Sequence, residues 1–216
     1  MRGESSHFPV AKEGWTYIAP LAALTAILWI FQEPRGGGLL TFLTLFVVYF
    51  FRDPERPTPP NEKAILSPAD GKIVQLEPCR EEQFLKGPAM KVSIFMSLFD
   101  VHVNRIPLSG RIVEQAHRAG KFLRADLSQA SFQNEQNALL LETDDRVRLL
   151  FVQVAGIIAR RIVCRVKVGD RVLRGQRFGL IHFGSRLDIY LPPQTQIRVQ
   201  LGQKVFGGTS VIGILP

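Results

Sequence analysis

His102 has the neighbours best suited to chemistry in this chain. It lies in Phe99-Asp100-Val101-His102-Val103-Asn104-Arg105-Ile106-Pro107. Strand alternation puts Asp100, His102 and Asn104 on one face and Val101 and Val103 on the other. An acid, an imidazole and an amide in one stripe can hold and return protons near neutral pH, although an ordinary solvent-facing strand would show the same pattern. The spacing does not suit a metal, since no second histidine follows at a short interval and no cysteine pair matches it. His182 stands two residues before Gly184-Ser185, a dipeptide too common to assign anything alone. His117, in Ala116-His117-Arg118-Ala119-Gly120, reads as an imidazole on a turn surface, and His7 precedes the first apolar run.

Several familiar chemistries are absent. There is no Gly-x-Ser-x-Gly nucleophile elbow and no Walker-type phosphate loop. The two cysteines, Cys79 and Cys164, are too few for a disulfide framework or a four-thiolate zinc site, and they suit a cytosol-facing protein. Lys167–Gln176 resembles the V-x-x-G-D-x-V-x-x-G-Q pattern of biotinyl and lipoyl carrier domains, with a weaker echo at Val205–Ile212. Biotin carriers are modified at Ala-Met-Lys-Met, whereas here Ala89-Met90-Lys91 runs into Val92 and lies far upstream of the carrier-like stretch. A membrane-tethered carrier or binding module without catalysis is therefore the alternative reading.

The elements that must position these residues fall into two parts. Residues 1–51 hold three basic and three acidic residues, so the remainder carries the whole net charge of +8. A basic body favours an anionic partner. Nucleic acid is disfavoured, because few aromatics interleave with the basic residues. Tyr17–Phe31 and Leu39–Phe51 are uncharged apolar runs joined by Gln32-Glu33-Pro34-Arg35-Gly36-Gly37-Gly38, which reads as a turn. Each run is shorter than the roughly 20 residues that cross a bilayer comfortably, so a helical hairpin that dips into or barely crosses the membrane is expected. Arg52, Arg56 and Lys63 favour the cytoplasmic side for its flanks, and Pro54, Pro57, Pro59 and Pro60 make a stiff spacer.

From Ala64 onward, short apolar runs alternate with Gly, Pro and Asp turns. These are Gly71–Leu76, Met90–Met96, Gly110–Val113, Ala138–Glu142, Val147–Ala155, Gly156–Val163, Arg186–Leu191 and Ile197–Val199. The pattern predicts a mainly β body, barrel-sandwich-like, behind an N-terminal apolar helical hairpin. Short helices are conceivable near Ala125–Ala130 and Gly156–Val163. The basic run Arg160–Lys167 reads as a strand with one solvated face.

Four segments, in this order, resemble the short form of the phosphatidylserine decarboxylase family: Phe50-Phe51-Arg52-Asp53-Pro54-Glu55-Arg56, Ser67-Pro68-Ala69-Asp70-Gly71, Asp100–Arg105 and Phe183-Gly184-Ser185-Arg186-Leu187-Asp188. Gly120-Lys121-Phe122 and Asn134-Glu135-Gln136-Asn137 are similar to that family too. The likeness runs from about residue 50 to the C-terminus.

The resemblance implies a proenzyme that cuts itself between Gly184 and Ser185 and belongs to phospholipid biosynthesis. A β chain of residues 1–184 and an α chain of residues 185–216 would remain together as a heterodimer, with higher oligomers left open. It implies a covalent pyruvoyl group formed from Ser185, in place of pyridoxal phosphate, for decarboxylation of phosphatidylserine to phosphatidylethanolamine. It implies His102 as the group that returns a proton after decarboxylation, and Asp70 as the acid that orients a base during self-cleavage. Where the longer bacterial form has a second histidine, this chain has Arg105. The self-cleavage base therefore stays open among His117, His102 and His182, and Arg105 becomes a candidate for the lipid phosphate. The expected location is the cytoplasmic face of the cell membrane, where an anionic surface meets the basic body. The two-part division expected is a hairpin at 1–51 and a decarboxylase domain at 52–216.

Overall fold

The computed structural model describes residues 9–120, 134–156, 162–182 and 185–216. The chain forms two compact units, one ending at Glu55 and one beginning at Arg56. The first contains a short 3-10 turn, Lys12–Gly14, and two helices, α1 (Trp15–Ile30) and α2 (Pro34–Phe50). The connection is tighter than the residue types predict. Pro34 opens α2 as its first residue, where a missing N–H costs nothing, so Gly36, Gly37 and Gly38 lie in the helix. They serve contact instead. A Cβ on Gly37 would lie 3.1 Å from the Trp29 indole, and one on Gly36 would lie 3.0 Å from Leu28. Thr25 and Thr44 hydroxyls meet at 3.1 Å between the helices, and Trp29 Nε1 donates to Thr41 at 3.1 Å. Away from this seam the hairpin shows apolar side chains on all sides, with Ile30 75% and Phe31 74% exposed. The helical run Lys12–Ile30, 19 residues, is long and apolar enough to cross a membrane, while α2 is shorter.

The second unit is mainly β, as its composition predicts. Its described strands are β1 (Ala64–Leu66), β2 (Gly71–Glu81), β3 (Gly87–Met96), β4 (Val103–Arg105), β5 (Gly110–Arg118), β6 (Gln136–Glu142) and β7 (Arg148–Val154). There follow β8 (Ile162–Cys164), β9 (Arg171–Val172), β10 (Arg177–Ile181), β11 (Ser185–Leu191), β12 (Gln196–Ile197), β13 (Lys204–Val205) and β14 (Val211–Ile214). The helix expected near Ala125–Ala130 lies outside the described residues, as does most of the one near Gly156–Val163, whose last residues begin β8. Eight strands form one antiparallel sheet in the order β13-β2-β3-β11-β7-β6-β5-β9, and two three-stranded sheets, β1-β14-β12 and β4-β10-β8, accompany it. The larger core cluster draws Ile73, Ile94, Phe151, Leu187 and Ile189 from the large sheet and Ile65, Ile212 and Phe178 from the small ones, and a smaller cluster holds Phe84, Leu140, Leu150 and Val154. Phe151 and Phe178 meet edge to face, with ring centres 5.0 Å apart.

β11 is the central strand around which the site is built. It pairs with β3 over its whole length and with β7 along most of it. Its odd-numbered residues, including Leu187, Ile189 and Leu191, enter the core, while Arg186 and Asp188 face the other side and are still buried. There the Asp188 carboxylate takes Arg186 Nε at 2.8 Å and lies 3.6 Å from Lys91 Nζ. Two buried cations around one carboxylate satisfy the charge that burial alone would disfavour.

Candidate active site

The site forms where β2, β3 and β11 end together. Ser185, the first residue of β11, pairs with Met96, the last residue of β3. β2 starts alongside at Gly71, where a Cβ would strike the Phe95 carbonyl oxygen, so only glycine allows the approach. Ser185 is fully buried, and its Oγ donates to the Met96 thioether at 3.4 Å. A thioether is a weak acceptor, so this contact seats the hydroxyl without stabilising it much.

The connection from β3 to β4 folds over that end. Asp100 Oδ2 accepts from the Ser97 amide at 2.9 Å and from the Ser97 hydroxyl at 2.6 Å, and its other oxygen lies 3.4 Å from Lys204 Nζ. With the loop fixed, the Asp100 carbonyl meets His102 Nδ1 at 3.0 Å. A carbonyl can only accept, so Nδ1 carries the proton and Nε2 is left with the lone pair of a base. His102 is completely buried, and so is the rest of the Asp100–Arg105 stripe, which is no solvent-facing surface. Its backbone oxygen accepts from Ile181 N at 3.4 Å. This sets the imidazole's residue beside the stretch that leads through buried His182 to Ser185.

Asn104, inside β4, joins a row of amides, while Asp100 and His102 precede that strand. Gln115 Nε2 donates to Asn137 Oδ1 at 3.0 Å, Asn137 Nδ2 to Gln153 Oε1 at 2.9 Å, and Gln153 Nε2 to Asn104 Oδ1 at 2.9 Å. Asn104 Nδ2 in turn lies 3.8 Å from the Met96 sulfur that Ser185 touches. Gly179 leaves room for this row, since a Cβ there would sit 2.9 Å from Gln153 Nε2 and strike the Val163 carbonyl.

Asp70 lies one residue before the start of β2, at the same end of the sheet. Its two oxygens take the Arg56 guanidinium at 2.5 and 2.7 Å, and the Gly207 amide adds a bond of 2.8 Å. In this structure the acid therefore orients an arginine and a glycine-rich turn, while the backbone of Asp100 orients His102. Arg105 is buried, with its guanidinium donating to the Gly175 carbonyl at 3.1 Å and its stem packed under Gly208. His117 is on β5, which is separated from β11 by β6 and β7, three strand spacings of roughly 4.8 Å each. It is exposed there, with Nε2 2.9 Å from Glu135. The fold thus gathers Ser185, His102 and Asp70 at one sheet end, with His182 leading in, and does not bring His117 to Ser185. Gly184 lies outside the described residues.

The sequence alone gives Met96 and Gln153 no role and reads Arg56 as a flanking charge rather than as a partner of Asp70. A signal for Gln153 was present, as a lone amide inside the apolar run Leu149-Leu150-Phe151-Val152-Gln153-Val154. The carrier alternative meets a direct obstacle. Lys91 lies within β3, buried and ion-paired with Asp188, whereas a carrier lysine must stand on an accessible hairpin tip.

The chain is similar to known proteins over nearly its whole length. The family model for phosphatidylserine decarboxylase matches residues 43–213. A phosphatidylserine decarboxylase proenzyme of Geobacter sulfurreducens is 50% identical over the full length of both chains. The proenzyme so named in Geotalea uraniireducens is 49% identical over 96% of this chain and 97% of its own, and that of Syntrophus aciditrophicus is 46% identical over 94% and 96%. Likeness of this extent, spanning both Ser185 and His102, means that the chain belongs to the phosphatidylserine decarboxylase family.

Proposed function

We propose that this protein cuts itself between Gly184 and Ser185 and then decarboxylates phosphatidylserine to phosphatidylethanolamine. The observation that carries the reading is the buried Ser185 at the start of a central strand, at the same sheet end as an imidazole whose tautomer leaves Nε2 basic. Family membership supports the substrate, and the name proenzyme borne by the relatives supports processing.

In the first step His102 Nε2 takes the Ser185 hydroxyl proton as Oγ bonds to the Gly184 carbonyl carbon. The Gly184–Ser185 C–N bond breaks, and the proton passes to the departing nitrogen, leaving an ester and a free amine. His102 Nε2, free again, then takes the Ser185 α proton as the Gly184 carboxylate leaves Cβ. Addition of water and release of ammonia leave a pyruvoyl group. The site fits that product. The group reuses Ser185's own carbons with an oxygen in place of nitrogen, so the buried seat beside Met96 has nothing larger to hold. When present, the group supplies a carbonyl that takes the substrate amine and accepts the electrons left as carbon dioxide departs. His102, protonated on Nε2, then holds the proton that the substrate carbon requires. Asp70 acts through Arg56 and the Gly207 turn to keep the end of β2 in place. The phosphate role of Arg105 requires its guanidinium to turn from the Gly175 carbonyl toward the lipid.

β11 keeps the cleaved pieces together, because its pairings to β3 and β7 do not depend on the Gly184–Ser185 bond. Intact mass under denaturing conditions tests the reading. The expected result is two species split after Gly184, the smaller lighter by one ammonia than the peptide beginning with Ser185. A sole species near 24.2 kDa after incubation with lipid overturns it.

The hairpin supplies access to a lipid substrate and holds the protein at an anionic membrane surface. Both tryptophans of the chain, Trp15 and Trp29, lie in α1 and are about half exposed, so selectively excited tryptophan fluorescence reports on the hairpin alone. Vesicles of anionic phospholipid should shift the emission to the blue, and brominated acyl chains should quench it. Unchanged emission would remove the membrane role.

A further inference from the structure

The amide row running from Gln115 to Asn104 has no place in the mechanism above, yet it crosses the core. Asn137, Gln153 and Asn104 are 2%, 0% and 0% exposed among Leu139, Phe151 and Leu187. Apolar side chains would be the simpler occupants, since a buried amide is tolerated only when its donors and acceptors are met. Here they are met in one direction. Each amide donates its N–H to the next carbonyl oxygen, from Gln115 through Asn137 and Gln153 to Asn104. The Asn104 oxygen is therefore occupied by Gln153, and its amide is forced to turn its NH2 outward. That donor lies 3.8 Å from Met96 Sδ, the same sulfur that holds Ser185 Oγ at 3.4 Å.

We propose that Asn104 is the oxyanion donor of self-cleavage, with Gln153, Asn137 and Gln115 as positioning residues that fix its polarity. This rests on the self-cleavage reading given above. As Ser185 Oγ bonds to the Gly184 carbon, the electron pair of the C=O bond moves onto the Gly184 oxygen. The negative charge arises on the atom group bonded to the Ser185 nitrogen, and Ser185 is fully buried, where an aligned amide N–H is most effective. The thioether is too weak an acceptor to compete for that N–H, so Met96 acts as a placeholder that the oxyanion displaces. When the C–N bond breaks, the pair returns to the carbonyl and the donor is left as it was.

Freshly translated full-length chain, sampled over time by denaturing intact mass, tests this without reference to lipid turnover. Asn104→Asp keeps the oxygen that Gln153 needs but places an anion where the donor stood, and cleavage should slow by roughly 10²–10³-fold. Gln153→Glu keeps the acceptor for Asn137 but, ionised, has no N–H for Asn104. Asn104 then turns its oxygen toward Ser185, and cleavage should slow at least tenfold. Gln115→Ala, at the half-buried outer end, should slow cleavage far less than either. Thermal unfolding of each variant, compared with uncleavable Ser185→Ala chain, separates lost chemistry from lost fold. If Asn104→Asp folds and cleaves at the wild-type rate, the proposal is overturned. If that variant does not fold, wild-type cleavage in Gln153→Glu overturns it instead. A wild-type chain that never cleaves would sink the self-cleavage reading itself, and this proposal with it.

Discussion

Ser185→Ala is expected to stay one chain of 24.2 kDa and to release no carbon dioxide from phosphatidylserine. The substitution removes one oxygen from a fully buried position whose hydroxyl, among the described residues, is hydrogen-bonded to a thioether. A weak acceptor loses little when its donor goes, and alanine leaves no polar atom unsatisfied, so β11 should keep its pairing to β3 and β7. The variant therefore isolates chemistry from stability. Without Oγ nothing attacks the Gly184 carbon, no ester forms, and Ser185's carbons never become a carbonyl. Activity should fall to the uncatalysed background rather than by a measurable factor. Equal thermal midpoints for Ser185→Ala and unprocessed wild type, with no cleavage in the variant, are the expected pair of results. Continued decarboxylation by the variant would remove Ser185 from the mechanism and with it the proposed function.

How far the site was legible in advance follows from what each residue's position depends on. The β class and the apolar hairpin come from local periodicity, which the sequence shows directly. The hairpin turn is shorter than Gly36-Gly37-Gly38 implies, because these glycines read as breakers in sequence while in the structure Gly36 and Gly37 seat Leu28 and Trp29. Alternation placed His102 and Asn104 on one face but could not say whether that face is covered. Burial is set by β10 and by the returning strands, which are distant in sequence. The same limit applies to Asp70, whose partner Arg56 lies 14 residues away on the far side of β1. His117 resembled a nearby base only because chain distance says nothing about sheet order, and β6 and β7 intervene. Gln153 could have been flagged on physical grounds, as an amide in an apolar strand needs partners, although which partners depends on register.

The second large effect belongs to His102. His102→Asn should slow both self-cleavage and the decarboxylation of already processed protein by roughly 10²–10⁴-fold. The substitution is chosen for its geometry. An asparagine amide N–H can occupy the place of Nδ1 and still donate to the Asp100 carbonyl, so the loop held by Ser97 and Asp100 keeps its anchor. What it lacks is any atom where Nε2 stood. A loss equal to that of His102→Ala would assign the effect to the missing nitrogen rather than to a collapsed loop. His182→Ala is the discriminating companion, since His182 is also buried and lies closer along the chain to Ser185. The Asp100 carbonyl holds His102 in the tautomer whose Nε2 is basic. Self-cleavage should then survive His182→Ala within about an order of magnitude while failing in His102→Asn. The reverse outcome would move the base to His182 and leave His102 with the proton-return step alone. The two roles are separable in one experiment, by following chain cleavage by mass and carbon dioxide release from the fraction that has matured.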